Sequence, residues 1–178
     1  AMGKHAAESF QPLAIAVLTV SDSRGPDEDT SGAALAERLQ GAGHRLAERR
    51  IVTDDLYRVR AEVAAWIADD AVEAVLINGG TGLTGRDITP EAIRPLFDRE
   101  IVGFGELFRQ RSYEEIGPAT IQSRALAGIA NATLVFAMPG STGACRTAWD
   151  AILAHQLDAR GGPCNFVALL PRIRELGG

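Results

Sequence analysis

The feature of this sequence that most constrains its fold is an alternation of short apolar runs with longer segments of helical period. The apolar runs have the length and composition of buried strands, and they cover residues 13–20, 50–52, 74–78 and 133–138. Such alternation is typical of βαβ units, in which right-handed helical crossovers join parallel strands. The sequence therefore predicts an α/β fold, a three-layer α/β/α sandwich with a mostly parallel central sheet.

Four helices are predicted by apolar side chains that recur at the spacing of an amphipathic helix. They cover residues 31–40, 56–68, 120–130 and 141–157. The first is followed by glycine at Gly41, and the last stops before a Gly-Gly-Pro sequence, both of which are common at helix ends. We expect these helices to cover the sheet.

Length and composition limit the domain organisation. A chain of 178 residues with 46% hydrophobic and 23% charged residues can build one core and leaves no room for a second of similar size. We expect a single domain over residues 12–172. A disordered lead is expected over residues 1–11, and its first three residues look like a cloning remnant.

Charge and residue usage exclude several classes of partner. The net charge of −5 argues against binding to nucleic acid, which requires a basic face. No apolar run approaches the roughly 20 residues that span a membrane. Two cysteines without CxxC spacing and three scattered histidines predict reduced thiols, no structural zinc and a cytoplasmic location.

A glycine-rich segment after the third predicted strand is the strongest local signal for ligand binding. Residues 79–87 read Gly-Gly-Thr-Gly-Leu-Thr-Gly-Arg-Asp, and Thr89-Pro90 follow at the predicted start of a helix. Glycines let backbone N–H groups converge on an anion because no Cβ obstructs them. A phosphate cradle is predicted here, and a tight turn built for steric reasons is the alternative.

The same segment matches the Gly-x-Gly-x-x-Gly pattern from Gly80 to Gly85, so a nicotinamide-dependent oxidoreductase is an alternative function. Two features oppose it. The match follows the third strand rather than the first, and Asp87 would face a pyrophosphate that such turns bind with uncharged dipoles. A carboxylate beside phosphate is suited instead to a bridging Mg²⁺.

Acidic residues follow three of the predicted strands. Asp22 follows the first strand, Asp54 and Asp55 the second, and Asp87 the third, and parallel strands bring these ends to one edge of the sheet. Mg²⁺ uses one or two carboxylates plus substrate phosphate oxygens, so two of these four suffice for metal-assisted nucleotidyl transfer. Asp54 and Asp87 are preferred, since Asp22 and Asp55 could equally be helix N-caps and Thr89 can cap the helix after Asp87.

A second candidate phosphate loop follows the fourth predicted strand. Pro139 and Gly140 precede Ser141 and Thr142, whose hydroxyls can bond a phosphate or cap a helix. We expect this loop to lie beside the glycine-rich loop at the ligand-binding edge. Ser21, which follows the first strand, is a further candidate for bonding a phosphate or a heterocycle.

Other side chains are less diagnostic. Arg86, Arg124 and Arg146 could clamp an anion or form surface ion pairs. Cys145 falls on the apolar stripe of a predicted helix and lacks a histidine partner, so we expect it in the core rather than as a nucleophile.

Together these segments resemble, in order and spacing, the B-type members of the molybdopterin-binding family of molybdenum cofactor biosynthesis. The resemblance covers about residues 13–166. The segments that carry it are residues 19–24, 79–92, 97–108, 112–117, 122–125, 137–142 and 145–149.

The resemblance implies an α/β sandwich that binds molybdopterin and, in active members, adenylylates it with Mg-ATP and releases pyrophosphate. Asp54 and Asp87 match the family's two acidic positions, which implies catalytic roles and binding of Mg²⁺. A trimer or a hexamer is also implied, with contacts to other molybdenum cofactor enzymes as a further expectation. Phe104, Phe108 and Tyr113 could supply an apolar interface. A non-catalytic molybdopterin-binding or scaffold protein is the alternative, since a sister protein of the family can perform the transfer.

The predicted site thus combines residues from the loops that follow all four predicted strands. Asp54 and Asp87 are predicted as catalytic and metal-binding residues. The residues predicted to bind substrate and phosphate are Ser21, Asp22, Gly79, Gly80, Thr81, Gly82, Pro139, Gly140, Ser141 and Thr142.

Overall fold

The central sheet has six strands, and the four predicted from apolar runs are its parallel part. A computed structural model describes residues 7–175. In chain order its elements are β1 (Ala14–Val20), α1 (Thr30–Gly41), β2 (Arg45–Val52), α2 (Leu56–Ala68), β3 (Ala74–Asn78), α3 (Thr89–Ile93), a 3₁₀ turn (Arg94–Leu96), β4 (Arg99–Glu100), α4 (Val102–Ile116), a 3₁₀ turn (Gly117–Gln122), β5 (Leu126–Ala130), β6 (Thr133–Met138), α5 (Thr142–Ala148), a π-helical turn (Trp149–Leu153), α6 (Ala154–Gln156) and α7 (Phe166–Ile173).

The strand order in the sheet is β2-β1-β3-β6-β5-β4. The first four strands are parallel, and β5 runs antiparallel to both β6 and β4. In register, Leu18 of β1 is opposite Ile77 of β3, which is opposite Ala137 of β6. The carboxyl ends of β1, β2, β3 and β6 therefore lie along one edge of the sheet.

Side chains of β1 alternate between two separate cores. Ile15 and Val17 pack with α1, α4, α5 and α7, whereas Ala16 and Leu18 pack with α2 and α3. All four are fully buried, because helices cover both faces of the sheet. The predicted three-layer α/β/α sandwich is confirmed. None of the helices within residues 7–175 is long and apolar enough to cross a membrane.

The predicted lead falls partly outside this description, since residues 1–6 are not among the described residues. Ala7 donates a backbone hydrogen bond to the carbonyl of Ala159 at 2.8 Å. The ring of Phe10 lies 4.8 Å from that of His44, measured between centroids. Residues 7–11 contain no helix or strand, but two of them contact the domain.

The helix predicted over residues 120–130 is wrong. This segment is the end of a 3₁₀ turn followed by β5, and Leu126 and Ala127 are both buried, as in a strand covered on both faces. A two-residue turn joins β5 to β6, with Asn131 at φ 48° and Ala132 at φ 59°. Positive φ at both positions is the geometry of a type I′ hairpin. The apolar residues of this 3₁₀ turn and short strand recur at the spacing of a helix, which led to the wrong prediction.

The sequence pattern did not predict α4, which has glycines in its first turn. Phe104 and Phe108 of this helix are 4% and 1% exposed, and the Phe104 ring meets Phe136 of β6 at 5.2 Å between centroids. The expectation that both rings supply an interface is therefore wrong, because they anchor α4 to the sheet. Tyr113 alone of the three is exposed. Cys145 is buried, as expected, and burial raises the pKa of its thiol to about 12.

A buried carboxylate, that of Asp29, ties the elements around β1 together. Its Oδ1 accepts from the backbone N–H of Gly32 at 2.9 Å and so caps α1. Its Oδ2 accepts from the Thr19 hydroxyl at 2.8 Å and from the Arg49 guanidinium at 3.1 Å. The Thr19 oxygen in turn accepts from the Asn78 amide at 2.9 Å. One network thereby connects β1, β2, β3 and α1.

Replacement of Asp29 by alanine is expected to lower the free energy of unfolding by about 2–4 kcal/mol, because it leaves a helix N-terminus, a hydroxyl and a guanidinium without their acceptor. Chemical denaturation monitored by circular dichroism measures this change. Asp27→Ala, at an exposed position of the same loop, is the control and is expected to cost less than about 0.5 kcal/mol. Equal losses in the two variants would contradict the assignment.

Candidate functional site

The loops that follow β1 and β2 meet through Asp22 and Asp54. The backbone N–H of Asp54 donates to Oδ1 of Asp22 at 2.9 Å. The guanidinium of Arg86, from the glycine-rich loop after β3, pairs with the same Asp22 carboxylate. Asp22 thus joins all three loops at the carboxyl edge of the sheet, and it does not cap a helix.

The two carboxyl groups of this junction titrate differently. The backbone N–H of Asp54, followed by the Arg86 guanidinium, holds the pKa of Asp22 below its ordinary value. Burial raises the pKa of Asp54 above its ordinary value, and the negative charge of Asp22 raises it further. A cation that approaches Asp54 would favour the ionised form of its carboxyl group and so lower its raised pKa.

Asp55, the neighbour of Asp54, has a structural role. Its Oδ1 accepts from the backbone N–H groups of Tyr57 at 3.0 Å and Arg58 at 2.9 Å, so it is the N-cap of α2. The helix-cap interpretation considered for Asp55 is confirmed, and Asp54 is left as the candidate for chemistry in this loop.

Asp87 is held in place by its own loop. Its Oδ2 accepts from the backbone N–H of Thr84 at 2.9 Å and from the Thr84 hydroxyl at 2.7 Å. Burial acts to raise the pKa of Asp87, but the hydrogen bonds from Thr84 and from the Gly82 N–H, together with the charge of Arg124, hold the pKa below the ordinary value. The group is therefore ionised at neutral pH.

The expectation that Thr89 caps the helix after Asp87 is wrong. The N-cap of α3 is Ile88, which makes no side-chain capping bond. The Thr89 hydroxyl instead donates to the carbonyl of Gly79 at 2.7 Å, across the base of the glycine-rich loop. A buried hydroxyl needs a hydrogen-bond partner, so this bond from Thr89 holds the base of the loop in place.

Glycine is required at Gly79 and Gly80 by the path of the chain. Their φ angles are +99° and +71°, which side chains disfavour. A Cβ on Gly79 would lie 2.3 Å from the carbonyl oxygen of Val20, and one on Gly80 would lie 2.4 Å from the Thr89 hydroxyl. The steric interpretation thus accounts for these two glycines, and the phosphate-binding role of the loop stays a prediction.

The loop after β6 lies directly beside the glycine-rich loop, as predicted. A Cβ on Gly140 would be 3.2 Å from the Cα of Gly79, and the N–H of Gly79 donates to the Met138 carbonyl at 3.0 Å. Ser141 caps α5 by accepting from the N–H of Ala144 at 3.2 Å. The capping interpretation of Ser141 therefore holds, and its position beside the second loop leaves it at the candidate site.

Hydroxyl groups connect the loop after β1 to the loop after β6. Ser21 Oγ accepts from the N–H of Arg24 at 3.2 Å, and the Arg24 guanidinium donates to Ser31 Oγ at 3.3 Å. Ser31 donates to the carbonyl of Gly140 at 2.6 Å and lies 3.2 Å from the Thr142 hydroxyl. Ser21 thus shapes its own turn, while Thr142 faces the start of α1.

Two of the three arginines considered as anion clamps, Arg86 and Arg124, bind protein groups. Arg124 donates to the carbonyls of Gly82 at 2.8 Å and Asp87 at 2.9 Å, and it pairs with Glu91. These bonds hold the backbone of the glycine-rich loop in place. Arg86 pairs with Asp22, and Arg146 is exposed on α5.

One cavity of about 310 Å³ is bounded by both candidate phosphate loops. Its size is at the lower end of the range of small-molecule sites. Sequence reasoning missed its opposite wall, which comes from α4 and the 3₁₀ turn after it, because neither element was recognised. The residues that line the cavity include Thr81, Gly82, Pro139 and Ser141 on the loop side, and Ser112, Glu115, Ile116 and Thr120 on the opposite side.

The glycine-rich loop differs from a dinucleotide-binding turn. In that turn the chain passes from a strand through the glycines into a long helix whose N-terminus faces the pyrophosphate. Here the glycines span 79–85, and the helix that follows, α3, begins at Thr89 and has five residues. The geometry thus lends no support to the nicotinamide alternative.

Comparisons with known proteins agree with this geometry. The profile of a family described as "probable molybdopterin binding domain" matches residues 16–159. Molybdenum cofactor biosynthesis protein B of Escherichia coli (strain K12) is 61% identical over 157 residues, which are 88% of this chain and 92% of that protein. A crystal structure of a molybdenum cofactor biosynthesis protein B superposes with a TM-score of 0.81 at 43% identity, covering 84% of this chain and 94% of the other.

A more distant solved structure shows the same fold. The tungsten cofactor synthesizing protein MoaB from Pyrococcus furiosus superposes with a TM-score of 0.77 at 37% identity, covering 93% of this chain and 99% of that one. The chain therefore belongs to the molybdopterin-binding family of molybdenum cofactor biosynthesis, which its sequence motifs resemble.

Proposed function

We propose that this protein binds molybdopterin at the carboxyl edge of its sheet and adenylylates it with Mg-ATP, releasing pyrophosphate. The observation that carries the proposal is a cavity that two adjacent glycine-containing loops both border. Asp87 does not line the cavity, but its ionised carboxylate belongs to one of these loops. A site that joins two phosphate-bearing substrates needs two anion-binding loops side by side and a negative group for their metal ion.

The proposed transfer requires little covalent chemistry from the protein. An oxygen of the terminal phosphate of molybdopterin attacks the α-phosphorus of ATP and forms a phosphoanhydride bond. The bond from the α-phosphorus to the bridging oxygen breaks, and pyrophosphate leaves with that electron pair. The protein must align the two phosphates and offset their charge, which is the main catalytic task in such reactions.

Asp87 and Asp54 are proposed to contact the Mg²⁺ that arrives with ATP. Among residues 7–175 there is no group of three or more His, Cys, Asp or Glu that could hold a metal ion. One or two carboxylates with substrate phosphate oxygens are an ordinary environment for Mg²⁺, so the residues present fit a metal delivered by the nucleotide. The ion offsets phosphate charge when bound. Asp22, which pairs with Arg86, accepts a hydrogen bond from the N–H of Asp54 and so holds the Asp54 backbone at the carboxyl edge of the sheet.

Asp87→Asn is expected to reduce formation of adenylylated molybdopterin by about 100-fold, because the neutral amide no longer offsets the charge of the metal ion. Mass spectrometry of mixtures of protein, molybdopterin, ATP and Mg²⁺ measures the product. Asp55→Asn is the matched control, since asparagine caps α2 as well as aspartate does and activity should persist. Unchanged turnover in Asp87→Asn would exclude the mechanism. Molybdopterin binding by the native protein without any product would favour the non-catalytic alternative.

Gly80→Ala is expected to weaken ATP binding by about tenfold or more, because a Cβ at φ +71° and 2.4 Å from the Thr89 hydroxyl forces the loop to move. Gly85→Ala provides the control, since a Cβ at this exposed position of the same loop meets nothing within 4 Å. Isothermal titration with Mg-ATP measures both affinities. Equal affinities in the two variants would show that the loop path does not matter for the nucleotide.

We also propose that the chain forms a homo-oligomer, a trimer or a hexamer. Large apolar side chains are exposed on α4 and on the 3₁₀ turn after it, and such groups are what an interface between copies buries. They include Val102, Tyr113 and Ile121.

Light scattering is expected to give about three or six times the 18.9 kDa of one chain. Ile121→Asp places a charge at a position that is 81% exposed and should lower this mass. Tyr57→Asp, at a 74% exposed position on α2, should leave it unchanged. A monomeric mass for the native chain would contradict the proposal.

A further inference from the structure

We propose that Glu115 recognises the pterin ring by accepting hydrogen bonds from its 2-amino group and N3–H, in the part of the cavity walled by α4. This inference rests on the molybdopterin-binding part of the proposed function and is independent of the transfer step. It adds a specificity-determining residue to a site whose loops are proposed to bind the phosphates.

The cavity has two chemically different walls. The loop wall, with Thr81, Gly82 and Ser141, offers backbone and hydroxyl groups of the kind that bind phosphate. The opposite wall combines the buried ring of Phe108 and the side chain of Ile116 with polar groups. Apolar surface with a few fixed polar groups is the environment that binds a flat heterocycle.

Thr120 supplies independent support for a ligand at the α4 wall. This residue lines the cavity and is only 8% exposed. Its hydroxyl oxygen is buried and has no hydrogen-bond partner among residues 7–175. A buried hydroxyl without a partner is costly, so a rotation of the Thr120 side chain that brings its hydroxyl to a polar ligand in the cavity would be stabilising.

Glu115 carries the acceptor that a pterin requires. The Thr147 hydroxyl of α5 lies 2.9 Å and 2.8 Å from its two carboxylate oxygens, so the group is oriented by the neighbouring helix. A carboxylate has about four lone-pair sites, and one hydroxyl proton leaves several of them free. In the described part of the chain no Lys, Arg or His forms a salt bridge with it, whereas the adjacent Glu114 pairs with Arg111 at 2.8 Å.

The chemistry of the ring edge selects between the two substrates. The 2-amino-4-oxopyrimidine ring of a pterin presents two parallel N–H donors, which match a carboxylate as a guanidinium does. Adenine presents an N–H donor beside a nitrogen acceptor, so one of its two atoms would face the carboxylate with the wrong polarity. Glu115 therefore favours the pterin over the adenine of ATP on the α4 wall.

The test is a fluorescence titration with 6-hydroxymethylpterin and with 6-hydroxymethyllumazine, which has an oxygen in place of the 2-amino group. The native protein should bind the pterin at least about tenfold more tightly than the lumazine, since the oxygen at position 2 of the lumazine repels the carboxylate of Glu115. In Glu115→Gln this preference should disappear, because the amide can turn its NH₂ toward that oxygen. Glu115→Gln keeps an acceptor for Thr147 and should fold normally.

Glu114→Gln removes the same charge from the next position of α4 and should retain the native preference. An unchanged preference in Glu115→Gln, or no binding of the pterin by the native protein, would overturn the proposal. The titration contains neither ATP nor Mg²⁺. Loss of the transferase proposal would therefore leave this result standing, and loss of the Glu115 preference would leave the transferase proposal standing.

Discussion

The arrangement of the loops at the carboxyl edge of the sheet depends on the buried carboxylate of Asp29. A charge removed from water must be paired and hydrogen-bonded, so its partners cannot separate without a large cost. Those partners are Thr19 of β1, Arg49 of β2 and the N-terminus of α1. Through Thr19 the network reaches Asn78, the residue before Gly79. The start of the glycine-rich loop is thereby fixed to β1 and β2, the strands that precede the loops of Asp22 and Asp54.

The sequence was most informative where burial is uniform. β3 and β6 have the predicted limits, because strands covered by helices on both faces are continuous apolar runs. β2 was predicted only at its end, since it lies at the edge of the sheet, four of its first six residues are charged, and none of its residues is buried. β5 was mistaken for a helix because its hairpin turn is Asn131-Ala132, without the glycine that usually marks such turns.

The candidate site divides in the same way. Its loops were predictable, because parallel strands place their carboxyl ends on one edge and glycines follow them in sequence. The pairing of Asp22 with Asp54 and Arg86 was not, because these contacts join residues 32 and 64 positions apart. The role of Thr89 was misjudged for a similar reason, since the carbonyl it bonds belongs to the turn rather than to its own helix. Long-range pairing leaves no periodic trace in a sequence.

Phosphate loops alone do not distinguish one phosphorylated ligand from another, because backbone N–H groups bind any phosphate. Discrimination requires a side chain that meets the rest of the ligand, and α4 contributes the only carboxylate that lines this cavity within the described residues. Phe104 and Phe108 fix α4 against the sheet, and Glu115 lies seven positions, about two helical turns, beyond Phe108. Side chains at this spacing share a face of the helix. The aromatic residues that looked like an interface in the sequence therefore determine where the helix presents its acceptor to the cavity.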